Sequence, residues 1–269
     1  MRYAGYRWLK VSLALSLISL ISYFMIDITP RHNGGSWYGY TLGTIGVILI
    51  LWLTMLGVRK RAMTSGRWSL KAWTSAHVYL GLSLIVIATL HTGFQLGWNV
   101  HTLAYALMMI VIISGIWGVV GYATIPAALS NNRQATTEGQ MLELIRSADR
   151  QLHDAAQPLD GQLSALVLAS LQQDPFAGGL WVRLAGRDPR CATDRAYRAV
   201  RAQSNASGDT AVIKRVDDLL DRKRASLAQL RRHLRLKALL EFWLYIHVPV
   251  TFILIAALTA HVVSVFFYW

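Results

Sequence analysis

Five long apolar runs constrain the fold of this 269-residue chain more than any other feature of its sequence. A membrane with a hydrocarbon core of about 30 Å is crossed by a helix of about 20 predominantly apolar residues. The sequence therefore predicts an all-α integral membrane bundle with about five transmembrane helices. The runs that would form them lie at residues 11–26, 38–58, 76–94, 103–125 and 240–267.

The first run is the shortest, and a short apolar run after basic residues is also typical of a signal peptide. Arg2, Arg7 and Lys10 precede it. No small-x-small cleavage site follows Ile26. We therefore interpret the run as a retained helix.

Basic residues are distributed between the loops as the positive-inside rule predicts. With the N-terminus inside, the inner segments are rich in Lys and Arg, whereas the outer loops hold only Arg31 and Asp27. We predict a bacterial cytoplasmic membrane protein with its N-terminus in the cytoplasm and its C-terminus on the outer side. The net charge of +13 then reflects topology, and no nucleic-acid partner is needed to explain it.

The expected domains are residues 1–126 with four transmembrane helices, a cytoplasmic insert at 127–237, and residues 238–269 with the fifth helix that completes the bundle. Residues 131–237 hold 18 Lys or Arg against 12 Asp or Glu. Apolar residues recur at helical spacing over 138–153, 163–171 and 212–240, while 204–208 is typical of a loop. We predict a small helical domain with solvated His153 and His233. Its basic excess favours docking of a partner subunit, or binding of anionic lipid head groups.

Four histidines lie in two of the apolar runs, and each pair is separated by 14 residues. That interval returns a helix to within about 40° of the same face and separates the imidazoles by about 21 Å along the axis. A lone histidine in a membrane often only hydrogen-bonds a neighbouring helix, but ionisable side chains are costly there and usually mark function. Since both helices run from inside to outside, His77 should lie level with His247, and His91 with His261. This arrangement predicts two stacked metal macrocycles.

Other redox and nucleotide chemistry is excluded from this chain. Its single cysteine, Cys191, excludes a disulfide framework and a cysteine-ligated iron–sulfur cluster. No CxxCH motif for covalent haem attachment is present, and neither is a P-loop, a GxGxxG motif or a serine nucleophile elbow. Any flavin or nucleotide chemistry must therefore lie on another polypeptide.

The paired histidines on two co-directional helices resemble the four-helix haem core of the cytochrome b family of quinol–cytochrome c reductases. They resemble the transmembrane domains of ferric reductases more loosely. Gly43 and Gly57, also 14 residues apart, are similar to the glycines by which the cytochrome b family lets porphyrins approach the backbone. The large insert and the absence of a PEWY tetrapeptide distinguish this chain from the respiratory cytochrome. The resemblance implies two non-covalent haem b groups with four axial ligands, His77, His91, His247 and His261.

Several further residues are candidates for the same site. Gly81 follows His77 by one turn and leaves room for a porphyrin edge, or serves ordinary helix packing. Arg67 and Lys71 are placed to pair with the propionates of the inner haem, although basic residues there also fix topology. His101 is a candidate to hydrogen-bond a propionate or to accept a proton from quinol, or it is an interfacial histidine with no role.

These features predict transmembrane electron transfer by the membrane cytochrome b subunit, non-catalytic or quinone-reacting, of a respiratory or quinone-linked oxidoreductase complex. Two haem b groups are the expected cofactors, with quinone as a further candidate. The expected partners are membrane lipid and redox subunits that carry flavin, iron–sulfur or further haem centres. One alternative is a metal (ferric) reductase that passes electrons to an external acceptor. Another is a haem-free transporter or sensor with intramembrane histidines.

Overall fold

The chain is helical, and the computed structural model describes residues 4–29, 31–61, 69–133, 137–159, 161–176, 179–207 and 211–267. These ranges contain no β-strand. A short 3-10 helix at Ala4–Tyr6 precedes the first α-helix. The α-helices are α1 (Arg7–Met25), α2 (Trp37–Arg61), α3 (Leu70–Thr92), α4 (Val100–Arg133), α5 (Glu138–Ala156), α6 (Gly161–Gln172), α7 (Leu180–Ala185), α8 (Ala192–Ser207) and α9 (Ala211–Phe267).

Among the described residues, five helices are long and apolar enough to cross a membrane. They are Ala4–Met25, α2, α3, the segment Val100–Ser130 of α4, and α9. The predicted all-α membrane bundle is thereby confirmed. Large apolar side chains such as Leu13, Ile18 and Phe24 are exposed on α1, and this is the kind of surface that lipid covers.

All five of these α-helices begin before their apolar runs, and α3 and α9 do so by the most residues. Helix α3 begins at Leu70 because the Ser69 side chain caps it by accepting a hydrogen bond from the backbone N–H of Ala72. Helix α9 is one continuous helix of 57 residues, which confirms that the charged pattern from residue 212 continues into the last apolar run. It also contains Pro249, where the sequence predicts a bend.

The chain divides into two compact units, and the division falls within α4 and α9. The first unit comprises Met1–Val119 and Trp243–Trp269, and the second comprises Val120–Phe242. The first unit therefore holds all four histidines of the apolar runs. The second unit corresponds to the predicted insert with a few flanking residues on each side.

In the first unit, α3 packs against both α1 and α2. The Ser12 hydroxyl of α1 donates to the carbonyl of Tyr79 in α3, 2.6 Å away. The hydroxyls of Thr89 in α3 and Tyr105 in α4 lie 2.9 Å apart. An apolar core is shared by α2, α3, α4 and α9, and its buried members are Ile50, Leu53, Ala76, Leu80, Leu84, Met108 and Leu254.

Helices α4 and α9 approach each other closely within the first unit. The indole N–H of Trp243 donates to the carbonyl of Ser114, 2.6 Å away. A Cβ atom added at Gly118 would collide with the Trp243 ring. Helix α4 therefore packs closely against α9 at Gly118, because only a residue without a side chain leaves room for the indole.

The second unit has its own apolar core, formed by α5, α6, α8 and the first part of α9. Helix α8 was not predicted, and residues 204–207, expected in a loop, belong to it. Its buried positions Ala192, Ala196 and Val200 recur every four residues, which was the available sequence signal. Small side chains made this stripe weak. The buried core consists of Leu152, Ala156, Val167, Ala196, Val200, Val216, Leu219 and Leu220.

Three polar side chains of α9 are buried in this unit, those of Asp217, Lys223 and His233. His153 is exposed as predicted, but the prediction that His233 is solvated is wrong, because its side chain is buried with Nε2 3.5 Å from the Glu138 carboxylate. His233 follows Leu230 by three residues and so lies beside the apolar stripe of α9. Lys223 is also buried, with Nζ 2.5 Å from Asp149 and 2.7 Å from the carbonyl of Ser170.

We predict that Lys223→Met destabilises the second unit, because it leaves the Asp149 carboxylate without its cation in a partly buried place. The expected loss is about 2 kcal/mol, below the ~3–5 kcal/mol typical of breaking a fully buried pair. Thermal unfolding of the purified protein in detergent, followed by circular dichroism, measures the change. The matched control is Arg150→Met, which removes the exposed ion pair with Glu143 and should leave the unfolding temperature unchanged. Equal effects of the two substitutions would contradict the prediction.

Candidate functional site: two histidine pairs

The four histidines of the apolar runs all lie on α3 and α9, and all four are half-buried. We call His77 and His247 the first pair, and His91 and His261 the second pair. His77 lies in the second turn of α3, whereas His91 lies in its last turn. The 14-residue interval therefore falls within a single helix in both cases.

The second pair is in contact. The ring centroids of His91 and His261 lie 6.0 Å apart, and the two rings are nearly perpendicular at 88°. Two imidazoles that bind one metal ion from opposite sides have centroids roughly 6 Å apart, because each metal–nitrogen bond is about 2 Å long. The separation of these two rings would thus suit two imidazoles that bind the same metal ion.

The first pair shares an electrostatic environment. His77 and His247 lie within the range of the charge of Lys60. Lys60 lies in the last turn of α2 with Arg59 and Arg61. The structure therefore adds Lys60 to the basic residues near the first pair that the sequence had suggested.

Helix α2 holds both histidines of α3 through backbone carbonyls. Nδ1 of His77 lies 3.0 Å from the carbonyl oxygen of Leu53, and Nδ1 of His91 lies 2.8 Å from that of Gly39. A carbonyl only accepts hydrogen bonds, so each Nδ1 must carry the proton and donate. The neutral imidazoles then present an unprotonated Nε2, which is the form that binds a metal.

Helix α4 holds both histidines of α9 through side chains. Nδ1 of His247 lies 2.8 Å from the Ser114 hydroxyl, which donates its own proton to the carbonyl of Val111. Nδ1 of His261 lies 2.5 Å from Nδ1 of His101. All four histidines are thus held through Nδ1 by a neighbouring helix, the arrangement in which metal-binding histidines are usually found.

Glycines lie beside two of the rings. A Cβ atom at Gly43 would lie 2.8 Å from Cε1 of His91, closer than real Cβ contacts, and one at Gly34 would lie 3.5 Å from the same atom. A Cβ atom at Gly115 would lie 3.5 Å from Cε1 of His247. Gly43 therefore gives His91 the space to reach the carbonyl of Gly39, one turn earlier on α2.

Two other glycines mark space for a further group in the bundle. Gly46 is buried, yet an added Cβ atom there would have no neighbour within 4 Å. The same holds for an added Cβ atom at Gly81, the half-buried residue one turn after His77. Both glycines lie between the levels of His77 and His91. The bundle therefore has open space beside these two glycines, next to the apolar core that lies between the levels of the histidines.

The remaining predicted site residues have no described contact with the histidine rings. Arg67 lies outside the described residues. Lys71 is exposed in the first turn of α3. Gly57 is exposed, and an added Cβ atom there would have no neighbour within 4 Å, so it does not limit the position of His77 directly. Lys237 of α9 has its Nζ 4.0 Å from the Glu138 carboxylate.

Sequence analysis missed several contributors to the site. Ser114 and Trp243 were not identified, although the Trp243 ring lies 5.2 Å from the His247 ring at 33°. The carbonyls of Gly39 and Leu53 carry no side-chain signal, but these residues are themselves 14 positions apart, as the histidines of α3 are. That repeat on α2 was noticed only through Gly43 and Gly57.

Within the described residues, no three His, Cys, Asp or Glu side chains come together as a protein-only metal site requires. A porphyrin supplies its own four nitrogens, so a haem needs only two axial ligands from the protein. Each histidine pair provides two imidazoles. The donor set therefore fits a haem better than a bare metal ion.

The fold and site define an all-α membrane protein with two pairs of half-buried histidines on α3 and α9, each histidine hydrogen-bonded to a neighbouring helix. Comparison with known protein families found no matching family model, and comparisons with curated proteins and with solved structures found no match either.

We predict that Gly118→Ala weakens the packing of α4 against α9, because the new Cβ atom would collide with the indole of Trp243. The expected cost is about 1–3 kcal/mol, typical of overpacking a tight contact. Tryptophan fluorescence during thermal unfolding in detergent measures it. Gly121→Ala is the matched control, since its Cβ atom would lie at ordinary contact distances of 3.6 and 3.7 Å from side-chain ends. The prediction fails if both variants unfold at the wild-type temperature.

Proposed function

We propose that this chain carries electrons across a membrane through two b-type haems, as the membrane subunit of a respiratory or quinone-linked oxidoreductase complex. One haem is bound by His77 and His247, and the other by His91 and His261. The observation that carries the proposal is the shared geometry of the four imidazoles. Each is held through Nδ1 by a neighbouring helix, and the two rings of the second pair lie 6.0 Å apart.

The distance between the two pairs supports a stepwise electron path. The 14-residue interval corresponds to about 21 Å along a helix, which is a large part of a hydrocarbon core of about 30 Å. Moving one charge over that fraction of a membrane potential changes its free energy by on the order of 1.6 kcal/mol per 100 mV. Two sites at different depths divide the crossing into shorter steps.

The protein's part in this chemistry is to bind and orient. A haem held by two of these imidazoles would supply a reversible one-electron couple, whose potential would depend on the ligands, their hydrogen bonds and burial. The carbonyls of Gly39 and Leu53 fix the α3 ligands, while Ser114 and His101 fix the α9 ligands. Lys60 is positioned to stabilise negative charge near the first pair.

The orientation follows from the charges in the sequence. The basic end of α2, with Arg59, Lys60 and Arg61, faces the cytoplasm under the positive-inside rule. The first pair is then the inner one and the second pair the outer one. Flavin, iron–sulfur or further haem centres reside on partner subunits, for which the basic insert is the proposed docking platform, and quinone is the proposed membrane-soluble partner.

We predict that the purified protein contains two non-covalent haem b groups, which acid–acetone extracts at a ratio near two per chain. His91→Ala and His261→Ala should remove the same component in a redox titration, since both residues belong to the second pair. His77→Ala and His247→Ala should remove the other component. Wild-type protein without haem would contradict the proposal and favour the haem-free transporter or sensor. The pairing would be contradicted if His77→Ala and His261→Ala removed the same component.

We also predict that Gly43→Val impairs haem binding at the second pair alone, because its side chain would displace the His91 ring. The expected result is loss of one of the two haems, or a change in its reduced absorption band. Gly57→Val is the matched control on the same helix, since an added Cβ atom there would have no neighbour within 4 Å. A larger effect of Gly57→Val would contradict this prediction. It would mean that the glycines act through contact with the porphyrin, as the cytochrome b resemblance implies, and that Gly43 does not act by making space for the His91 ring.

A further inference from the structure

We propose that His101 is a positioning residue of the second pair, which holds His261 in the tautomer that can bind iron. Since it assumes that His261 is an axial ligand, this role rests on the proposed function. The contact that carries it joins the two Nδ1 atoms at 2.5 Å, with ring centroids 4.6 Å apart and the rings at 87°. No other histidine of the two pairs is held by an imidazole.

Carbonyl partners fix the tautomer of two of the other three ligands, and the hydrogen bond of Ser114 to Val111 favours the same tautomer for the third. The carbonyls of Leu53 and Gly39 only accept, so His77 and His91 must donate from Nδ1. Ser114 already donates its proton to the carbonyl of Val111, so its oxygen accepts from His247. In this tautomer Nε2 is left without a proton in each of the three rings.

His261 differs, because a neutral imidazole is either a donor or an acceptor at Nδ1. If His101 donates from Nδ1, then His261 accepts there and carries its proton on Nε2, where it blocks iron binding. If His261 donates, its Nε2 is free for the metal and His101 carries its proton on Nε2. Iron binding by His261 thus requires His101 to be the acceptor.

The local structure holds His101 in place for this contact. Helix α4 begins at Val100, and its first turn is capped by Asn99, whose side-chain oxygen accepts from the backbone N–H of Thr102 at 2.9 Å. The Thr102 hydroxyl in turn accepts from the backbone N–H of Gly97 at 3.0 Å. His101 lies between these two capping residues, although its side chain is exposed.

The contact also distinguishes the two pairs electronically. An acceptor at Nδ1 raises the basicity of the ligating imidazole, which favours the oxidised iron. The imidazole nitrogen of His101 is a better acceptor than the Ser114 hydroxyl, because that hydroxyl is an intrinsically weaker base. His261 is therefore expected to donate more electron density than His247, and the second pair should have the lower potential.

The test compares His101→Leu with His101→Asn in the full-length protein, using the wild-type protein with both haems as the reference. Leucine removes the acceptor, so haem at the second pair should bind about 10- to 100-fold more weakly. The midpoint potential of that component should rise, while that of the first pair stays the same. Asparagine places an amide oxygen near the position of Nδ1 and should restore both properties in large part. Haem transfer to apomyoglobin measures the affinity, and a redox titration measures the potentials.

Two further variants make the result specific. Ser114→Ala removes the acceptor of His247 and should shift the midpoint potential of the first pair only. His101→Leu should shift that of the second pair only. His153→Leu removes an exposed histidine of the second unit and should shift neither. Should His101→Leu lose the haem of the second pair completely, the asparagine variant decides. Retention of that haem by His101→Asn then supports the positioning role of His101, and loss of the haem from both variants overturns that role.

The proposal is also overturned if His101→Leu leaves the affinity and potential of the second component unchanged, or shifts both components equally. Failure of the proposed function itself would give different results. The wild-type protein would then contain no haem, or His261→Ala would retain both haems.

Discussion

Four imidazoles within apolar helices impose the constraint on which the first unit depends. A buried polar nitrogen without a partner costs roughly 1–3 kcal/mol, so each ring needs a hydrogen bond from a neighbouring helix. Helix α2 provides the partners for α3, and helix α4 provides those for α9. These bonds join α2 to α3 and α4 to α9, in each case as antiparallel neighbours. The contact between His91 and His261 joins α3 to α9.

The five apolar runs and the two histidine helices could be predicted because length and hydropathy are properties of local sequence. The level of each histidine followed from helical geometry and the direction of the chain. The hydrogen-bond partners did not, since two of the four are backbone carbonyls that any residue carries. Gly43 offered an indirect signal, because a missing side chain on α2 leaves space for the ring that reaches the carbonyl of Gly39.

The second unit was harder to predict, since its helices are short and their apolar stripes are interrupted by small residues. Helix α8 was missed because Ala192 and Ala196 are weakly hydrophobic, although both are buried. His233 and Lys223 were also misleading, because polar side chains on a charged helix are usually solvated. Both are buried because α9 passes through the core of this unit. Their burial depends on the tertiary partners Glu138 and Asp149, which local periodicity does not identify.

The two histidine pairs consist of the same side chains and differ in the groups that hold them. On the α3 side both pairs have the same kind of partner, a carbonyl of α2, and Gly39 and Leu53 repeat at the interval of the histidines. On the α9 side the partners are a hydroxyl and an imidazole, because α4 presents Ser114 at one level and His101 at the other. Under the proposed function the two haems have identical ligands, so a difference between their potentials comes from their surroundings. Any difference set by ligand hydrogen bonding must therefore arise on α4, where the two partners differ in kind.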